Sequence, residues 1–318
     1  MIEMCPLCGK SLDKLLVNDF RYCSYCDLAT REEASMPSKP DLIYTDEWVK
    51  AEETEMTHPA RVKFTIAQVK KLTGVNCILD VGCGGGKLVD GLNLEGYEAD
   101  GADSSTVVLE YARSTKRGRF FLTSAELLEG VPSEKEYDLI IANHLIEHLR
   151  DPKIFLENIR KHLKNGGYMY IETPNLESWD PKSLWRGRAG GLYGSDHRIC
   201  YTLNSLSRLM ENNGFVIHKA FTRTYSLTIF NGIVGYALTS CKGDIDVRAG
   251  KGLQKSSKVS WKILKCIYRG VRNSPLLAAM LYVPNRFSEF KDRGNHMIII
   301  AEKQIVNRID ELNDRTGR

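Results

Sequence analysis

Four cysteines near the N-terminus carry the plainest chemistry in this chain. Cys5 and Cys8 form one CxxC pair, and Cys23 and Cys26 form a second after fourteen intervening residues. Two such knuckles can place four thiolates tetrahedrally around Zn2+. The spacer is shorter than in most zinc ribbons but long enough for a hairpin, and Gly9 suits a tight knuckle. A thioredoxin-like redox site needs only one CxxC within a βαβ pattern, so two pairs favour zinc. A segment of some thirty residues has too little core to stabilise itself, so the metal supplies its folding energy. Four Cys ligands leave no open coordination position, and no catalysis is assigned to this ion.

A second stretch, Ile78–Lys87 (ILDVGCGGGK), joins an apolar run ending in Asp80 to a glycine-rich turn. This reads as a buried parallel strand passing tightly into a helix. Bare backbone at Gly82 and Gly84 lets a ligand approach closely, and some turn positions require positive φ. The helix after the turn is expected to offer unpaired N–H groups. The glycines fall at 82, 84, 85 and 86, which puts Lys87 where G-x-G-x-x-G needs its third glycine and weakens a pyrophosphate reading. Further on, GYEADGADSS ends a short strand at Asp103, a carboxylate able to accept both hydroxyls of a ribose. A third set, His144, Glu147 and His148, has the i, i+3, i+4 spacing that places three potential metal ligands on one helical face.

These residues need a scaffold, and the pattern supplies one. A helical stripe at positions 62, 66, 69 and 72 ends at Gly74 and is expected to cover the sheet. Strands at 77–81, 97–102, 119–122, 137–142 and 167–172 alternate with helices at 86–95, 105–115 and 151–163. Such alternation implies a parallel sheet with helices on both faces, and ligands beyond the carboxyl ends of its strands. A further strand is expected at Phe215–Phe221 and the last at His296–Ala301.

Together, D-V-G-C-G-G-G and the G-x-D-S-S strand end resemble the class I S-adenosylmethionine-dependent methyltransferases. YDLIIA (137–142), EHLRDP (147–152), GGYMYIETPN (166–175) and GNHMIIIAEK (294–303) extend the resemblance over roughly residues 60–220 and 294–303. It implies an α/β, Rossmann-like, seven-stranded methyltransferase sheet, here with an N-terminal zinc-ribbon-like module and a helical insert before the last strand. It also implies S-adenosyl-L-methionine as cofactor, contacted by Asp80, Gly82, Cys83, Gly84, Asp103, Ser104, Ser124, Ala125 and Asn143. Asp80 would reach the methionine amino group, and Asp103 the ribose. Similar enzymes often carry an acidic residue at the position of Ser124.

H-x-x-E-H also matches an inverted zinc-peptidase motif. Its place directly after a strand, in the E-H-L-x-D-P turn of small-molecule methyltransferases, sets that reading aside. Some similar quinone O-methyltransferases have E-x-x-E-H here and bind a divalent ion. This chain has His144 for the first Glu, which leaves either an ion or a polar pocket wall. The D-H-x3-Y-T-x3-L layout around Asp196 and His197 resembles a substrate-side segment whose histidine faces the pocket. A histidine suits deprotonation of a hydroxyl. The candidate catalytic residues are therefore His197, His148 and His144.

The organisation expected is a zinc-knuckle module (1–30), a linker and helix (31–57), the core (58–223), a basic amphipathic insert or lid (224–293), the last core strand (294–305) and a tail (306–318). The formal net charge is +4. Residues 242–272 hold nine Lys/Arg and two Asp, so this segment carries the chain's positive charge. Lys258, Lys262, Lys265, Arg269 and Arg272 recur at helical spacing among apolar residues. That pattern reads either as a lid with solvated lysines or as an element, spanning 242–283, that contacts an anionic membrane. No signal peptide or run of about 18 apolar residues is visible. The nine cysteines, four of them in CxxC pairs, suit a reducing compartment. A cytoplasmic protein, with or without peripheral membrane contact, is expected.

The function expected is methyl transfer, O-directed, to a small molecule or a glycan or lipid-linked precursor. Two alternatives remain. One is a zinc-module ribosomal RNA methyltransferase; the knuckle is not strongly basic and no N-P-P-Y or D-P-P-Y follows the fourth strand, so nucleic acid is not the favoured partner. The other is a non-catalytic zinc-ribbon binding module on this scaffold, against which the intact loop and Asp103 argue.

Overall fold

A computed structural model describes residues 4–16, 19–31, 59–178, 196–225, 289 and 292–305. Expectations for the linker and helix up to residue 57, most of the insert and the tail fall outside the described residues.

The central strand β4 (Cys77–Val81) is buried at all five positions, as its continuous apolar run requires of a strand covered on both faces. It pairs in parallel with β5 (Glu98–Asp103) and β7 (Tyr137–Asn143). Outward on one side lies β6 (Phe120–Leu122). On the other side lie β8 (Leu163–Pro174), then β11 (His296–Lys303) and β10 (Phe215–Arg223), the last two antiparallel to their neighbours. The order β10-β11-β8-β7-β4-β5-β6 makes seven strands, with the last strand inserted beside the fifth of the parallel set, as expected for this fold.

Helices α1 (Pro59–Val69), α2 (Lys87–Leu94), α3 (Thr106–Thr115) and α4 (Pro152–His162) connect or cover these strands. The α1 stripe packs Val62, Ile66, Val69 and Leu72 against Ile78, Leu139 and Tyr170. Helix α4 starts on Asp151, whose carboxylate accepts Lys153 and Ile154 N–H, and on Pro152 at the first helical position. It ends in Arg160, Lys161 and His162, in keeping with its dipole.

The N-terminal hairpin strands β1 (Lys14–Leu15), β2 (Phe20–Cys23) and β3 (Leu28–Arg31) form a second sheet. Its fourth strand was not anticipated and comes from the core: β9 (Ile199–Tyr201) pairs antiparallel with β3, Leu28 opposite Tyr201. Helix α5 (Leu203–Glu211) follows with a reciprocal Thr202–Ser205 capping box. The Thr202 hydroxyl also lies 3.1 Å from the Asp27 carbonyl, and Arg208 donates to the Cys26 carbonyl at 2.9 Å. Cys5, Cys23 and Leu28 join the same buried cluster as Tyr201, Leu206 and Ile299. Among the described residues no helix is long and apolar enough to cross a membrane.

Candidate functional site

The glycine-rich turn is strained toward one shape. Gly82, Gly84 and Gly86 have φ of 74°, 50° and 76°. A Cβ at Gly82 would stand 3.1 Å from Leu145 Cδ1. Four N–H groups of the turn are engaged within the fold. Those of Gly82 and Cys83 bond the Ala102 carbonyl at 2.8 and 3.1 Å, Gly86 bonds the Cys83 carbonyl, and Gly84 donates to Asp103 Oδ2 at 2.9 Å. A phosphate wants free N–H donors. A loop whose donors face its own sheet suits a cationic or neutral ligand better. Gly82→Ala would force a side chain into the left-handed region. It should cost about 1–2 kcal/mol of stability and weaken cofactor binding, read by thermal melting and calorimetry.

Two carboxylates flank this turn. Burial and the neighbouring Asp103 charge push the Asp80 carboxyl up to about 8. Burial also raises Asp103, against the N–H groups of Ser105 and Gly84 that it accepts. A buried carboxyl held near neutrality suits a site whose ligand brings a positive charge. Cys83 turns its thiol inward, so that a Cβ on Gly101 would lie 2.7 Å from Sγ; what Cys83 offers a ligand is main chain. Ser104 is exposed. The Ser124 hydroxyl accepts Leu127 N–H and lies 3.4 Å from Glu129 Oε2. Glu129, missed in the sequence, thus brings a carboxylate beside the position where similar enzymes carry their own. Ala125 is partly buried against the core, and Asn143 at the end of β7 has a buried Oδ1 without a hydrogen-bond partner.

The expected single helical face of His144, Glu147 and His148 does not form. His144 has φ 52°, and the turn after it, Ile146–His148, is a 3-10 helix of three residues. The two histidines instead both approach one oxygen of the buried Glu147 carboxylate. His144 Nδ1 is 3.2 Å and His148 Nε2 3.9 Å from Oε1, while Thr173 Oγ1 donates to Oε2 at 2.8 Å. His197 packs edge-on to His148, ring centroids 5.0 Å apart, and can bring a ring nitrogen into the Glu147–His148 group. Burial opposes ionisation of Glu147, but His144, His148 and His197 outweigh it and hold the pKa at about 2. The three candidate histidines thus share one carboxylate at the carboxyl ends of β7 and β8.

Behind them stands Glu172 of β8, fully buried, with Arg61 Nε at 3.1 Å, His144 Nε2 at 3.7 Å and His296 Nδ1 at 4.0 Å from Oε1. Neither Glu172 nor His296 was singled out from sequence. The available signal was a glutamate inside the apolar run YMYIETP.

In the N-terminal sheet, Cys5, Cys8, Cys23 and Cys26 bring their sulfurs within 4.8 Å of one another. Cys8 and Cys23 Sγ are 3.8 Å apart, close to the edge of a tetrahedron with ~2.3 Å zinc–sulfur bonds. Burial raises the Cys5 thiol to about 11 and Cys26 further. Burial opposes ionisation of Cys8 too, but main-chain and thiol hydrogen bonds lower that thiol, and a cation among the four would favour the thiolate form. The residues fit Zn2+.

Residues 53–220 match the model of the methyltransferase-domain family. The chain belongs to that family. Ubiquinone biosynthesis O-methyltransferases are among the curated relatives of this chain. The one from Chelativorans sp. (strain BNC1) is 36% identical over 101 residues, covering 31% of this chain and 40% of the relative. The one from Rickettsia bellii (strain OSU 85-389) is 30% identical over 139 residues, covering 40% and 57%. The chain spans about half the length of the curated relatives it matches. Among solved structures, a SAM-dependent methyltransferase from Archaeoglobus fulgidus superposes with a TM-score of 0.51 at 20% identity, covering 81% of this chain and all of that one. Phosphoethanolamine N-methyltransferase 2 from Haemonchus contortus, in complex with S-adenosyl-L-methionine, gives 0.51 at 17% identity, covering 83% and 58%. At these identities the likeness concerns fold, and the fold is that of class I S-adenosylmethionine-dependent methyltransferases.

Proposed function

We propose that this methyltransferase transfers a methyl group from S-adenosylmethionine to an oxygen of a small molecule or a glycan or lipid-linked precursor, with His197 as general base. The observation that carries this reading is the buried Glu147 carboxylate shared by His144, His148 and His197 at the carboxyl ends of the parallel strands. The names of the curated relatives described above, ubiquinone biosynthesis O-methyltransferases, support the acceptor atom.

When bound, S-adenosylmethionine supplies a methyl carbon on a positively charged sulfur, a leaving group that needs no further activation. The protein's work is alignment. Asp80 meets the methionine ammonium, Asp103 the ribose hydroxyls, and Asn143 Oδ1 a donor on the ligand. His197 would take the acceptor hydroxyl's proton as that oxygen bonds the methyl carbon and the electron pair of the breaking carbon–sulfur bond returns to sulfur. Glu147 stabilises the charge gathered on the histidines around it. In the N-terminal sheet, Cys5, Cys8, Cys23 and Cys26 hold a structural Zn2+. Contact with an anionic membrane through 242–283 and a cytoplasmic location belong to the same reading.

His197→Ala should retain cofactor binding by calorimetry and lose roughly 100-fold or more in turnover of a hydroxyl acceptor. Full turnover would remove His197 from the mechanism.

A further inference from the structure

His144, Glu172 and His296 come from three places in the chain, the end of β7, the interior of β8 and the start of β11. Register brings them together, since His296 stands opposite Pro174 and the His144 N–H bonds the Glu172 carbonyl at 2.7 Å. Three of their ring and carboxylate atoms, His144 Nε2, Glu172 Oε1 and His296 Nδ1, are buried and make no hydrogen bond. They are also the atoms that face one another, all within 4.8 Å. Buried polar atoms are rarely left without a hydrogen bond, and the Arg61 ion pair with Glu172 Oε1 does not serve the two imidazole nitrogens.

We propose that His144, Glu172 and His296 form a site for a first-row divalent transition ion such as Zn2+, separate from the four-cysteine knuckle. Two imidazoles and a carboxylate are a donor set that Zn2+ accepts with a fourth position open. Drawing three donors to about 2.0–2.1 Å from one ion brings their mutual spans to roughly 3.3 Å; the two imidazole–carboxylate spans, 3.7 and 4.0 Å, are within tenths of an ångström of that, and the two rings must draw together from within 4.8 Å.

The outer partners of a metal site are also in place. His144 gives its other nitrogen, Nδ1, to the Glu147 carboxylate, which is itself bonded by Thr173. Such carboxylate–histidine pairs orient a ligand ring and fix which nitrogen faces the ion. Glu172 accepts the hydroxyls of Tyr170 and Tyr225 on Oε2, at 3.4 and 3.1 Å, which turns Oε1 toward the histidines. Arg61, whose Nε is 3.1 Å from Oε1 but out of line for a hydrogen bond, is the competitor for the carboxylate. It lies on α1 with a quarter of its side chain exposed and has room to withdraw.

The test is Co2+ titration of the full-length protein, followed by absorption spectroscopy and native mass spectrometry. The proposal expects an ion with nitrogen and oxygen ligands that shows no thiolate charge-transfer band. A thiolate-bound ion at the knuckle is counted separately by that band and lost in Cys8→Ser. In His296→Gln the nitrogen/oxygen-bound ion should weaken by roughly 100-fold or more, beyond the effect of losing an outer partner. Arg61→Gln should tighten it by roughly tenfold, because a nearby cation is removed. In His148→Gln the ion should stay, because His148 belongs to the neighbouring group with Glu147 and His197. The proposal fails if cobalt binds only through sulfur, if the nitrogen/oxygen-bound ion survives in His296→Gln, or if it disappears in His148→Gln. Should His296→Gln not fold, anomalous density from Zn2+-soaked wild-type crystals decides. A peak among the three side chains supports the site, and its absence there refutes it.

Discussion

Glu147→Gln should lower stability by about 3–5 kcal/mol, the usual consequence of removing one partner from a buried ion pair, and melting by on the order of 10 °C. The carboxylate is 1% exposed and faces three histidines, so its neutral substitute leaves the His144 charge buried with only Glu172 to answer it. The pH profile should carry the same signature. Glu147 and Glu172 are both held at about 2 in the folded chain. Their contribution is therefore complete above the ordinary carboxylate value, near 4.5, and is lost as pH falls from there toward 2. His296 is depressed to about 3, so the unfolded chain gains a proton below about 6.5 that the folded chain refuses. Asp80, raised to about 8, works the other way between about pH 8 and 4 and offsets the His296 limb, so the net acid loss should set in below about 4.5 as the two glutamates protonate. Chemical denaturation between pH 7 and 3 reads this, and Glu147→Gln should flatten the lower part. An unchanged melting temperature and an unchanged acid limb would show that Glu147 is not the charged hub described.

Asp80→Asn should do two opposite things. Without cofactor, the wild-type chain keeps a proton on Asp80 up to about pH 8 that the unfolded chain has lost near 3.8. Its stability therefore declines by up to about 1.4 kcal/mol per pH unit between roughly pH 4 and 8. Asparagine has nearly the shape of the protonated acid and removes that decline, so the variant should melt higher, most visibly at pH 8. With cofactor, the variant lacks the charge that meets the methionine ammonium. A lost charge-assisted contact of this kind is worth about 2–3 kcal/mol, a rise in Kd on the order of 100-fold. In the wild type, affinity should increase as pH rises through about 8. A variant that binds normally, or that melts lower at every pH, would put the ammonium elsewhere.

Much of this architecture was legible because it is local. ILDVGCGGGK announces a strand and a turn by composition alone, and Asp151-Pro152 announces a helix start. The parallel sheet followed from the alternation of short strands with helices. What could not be read depends on register between distant segments. Glu172 and His296 meet because β11 lies antiparallel beside β8, and nothing in GNHMIIIAEK fixes which residue opposes Thr173 or Pro174. The His144 turn misled in a different way. Its i, i+3, i+4 spacing assumes helical dihedrals, while the left-handed residue at 144 and a three-residue 3-10 turn set the two histidines against one oxygen of a shared carboxylate. The engaged N–H groups of the glycine turn were equally hidden, since their acceptors, Ala102 and Asp103, belong to the next strand.

The pairing of β3 with β9 bears on how the chain is made. Thr202 and Asp27, bonded in the finished protein, are separated by 175 positions along the chain. During synthesis the amino-terminal hairpin emerges long before its fourth strand exists, and its open edge must wait while the central sheet is translated. Capture of Zn2+ by the nascent cysteines would give that early segment a fold of its own, shielding it until Ile199–Tyr201 leave the ribosome and close the edge.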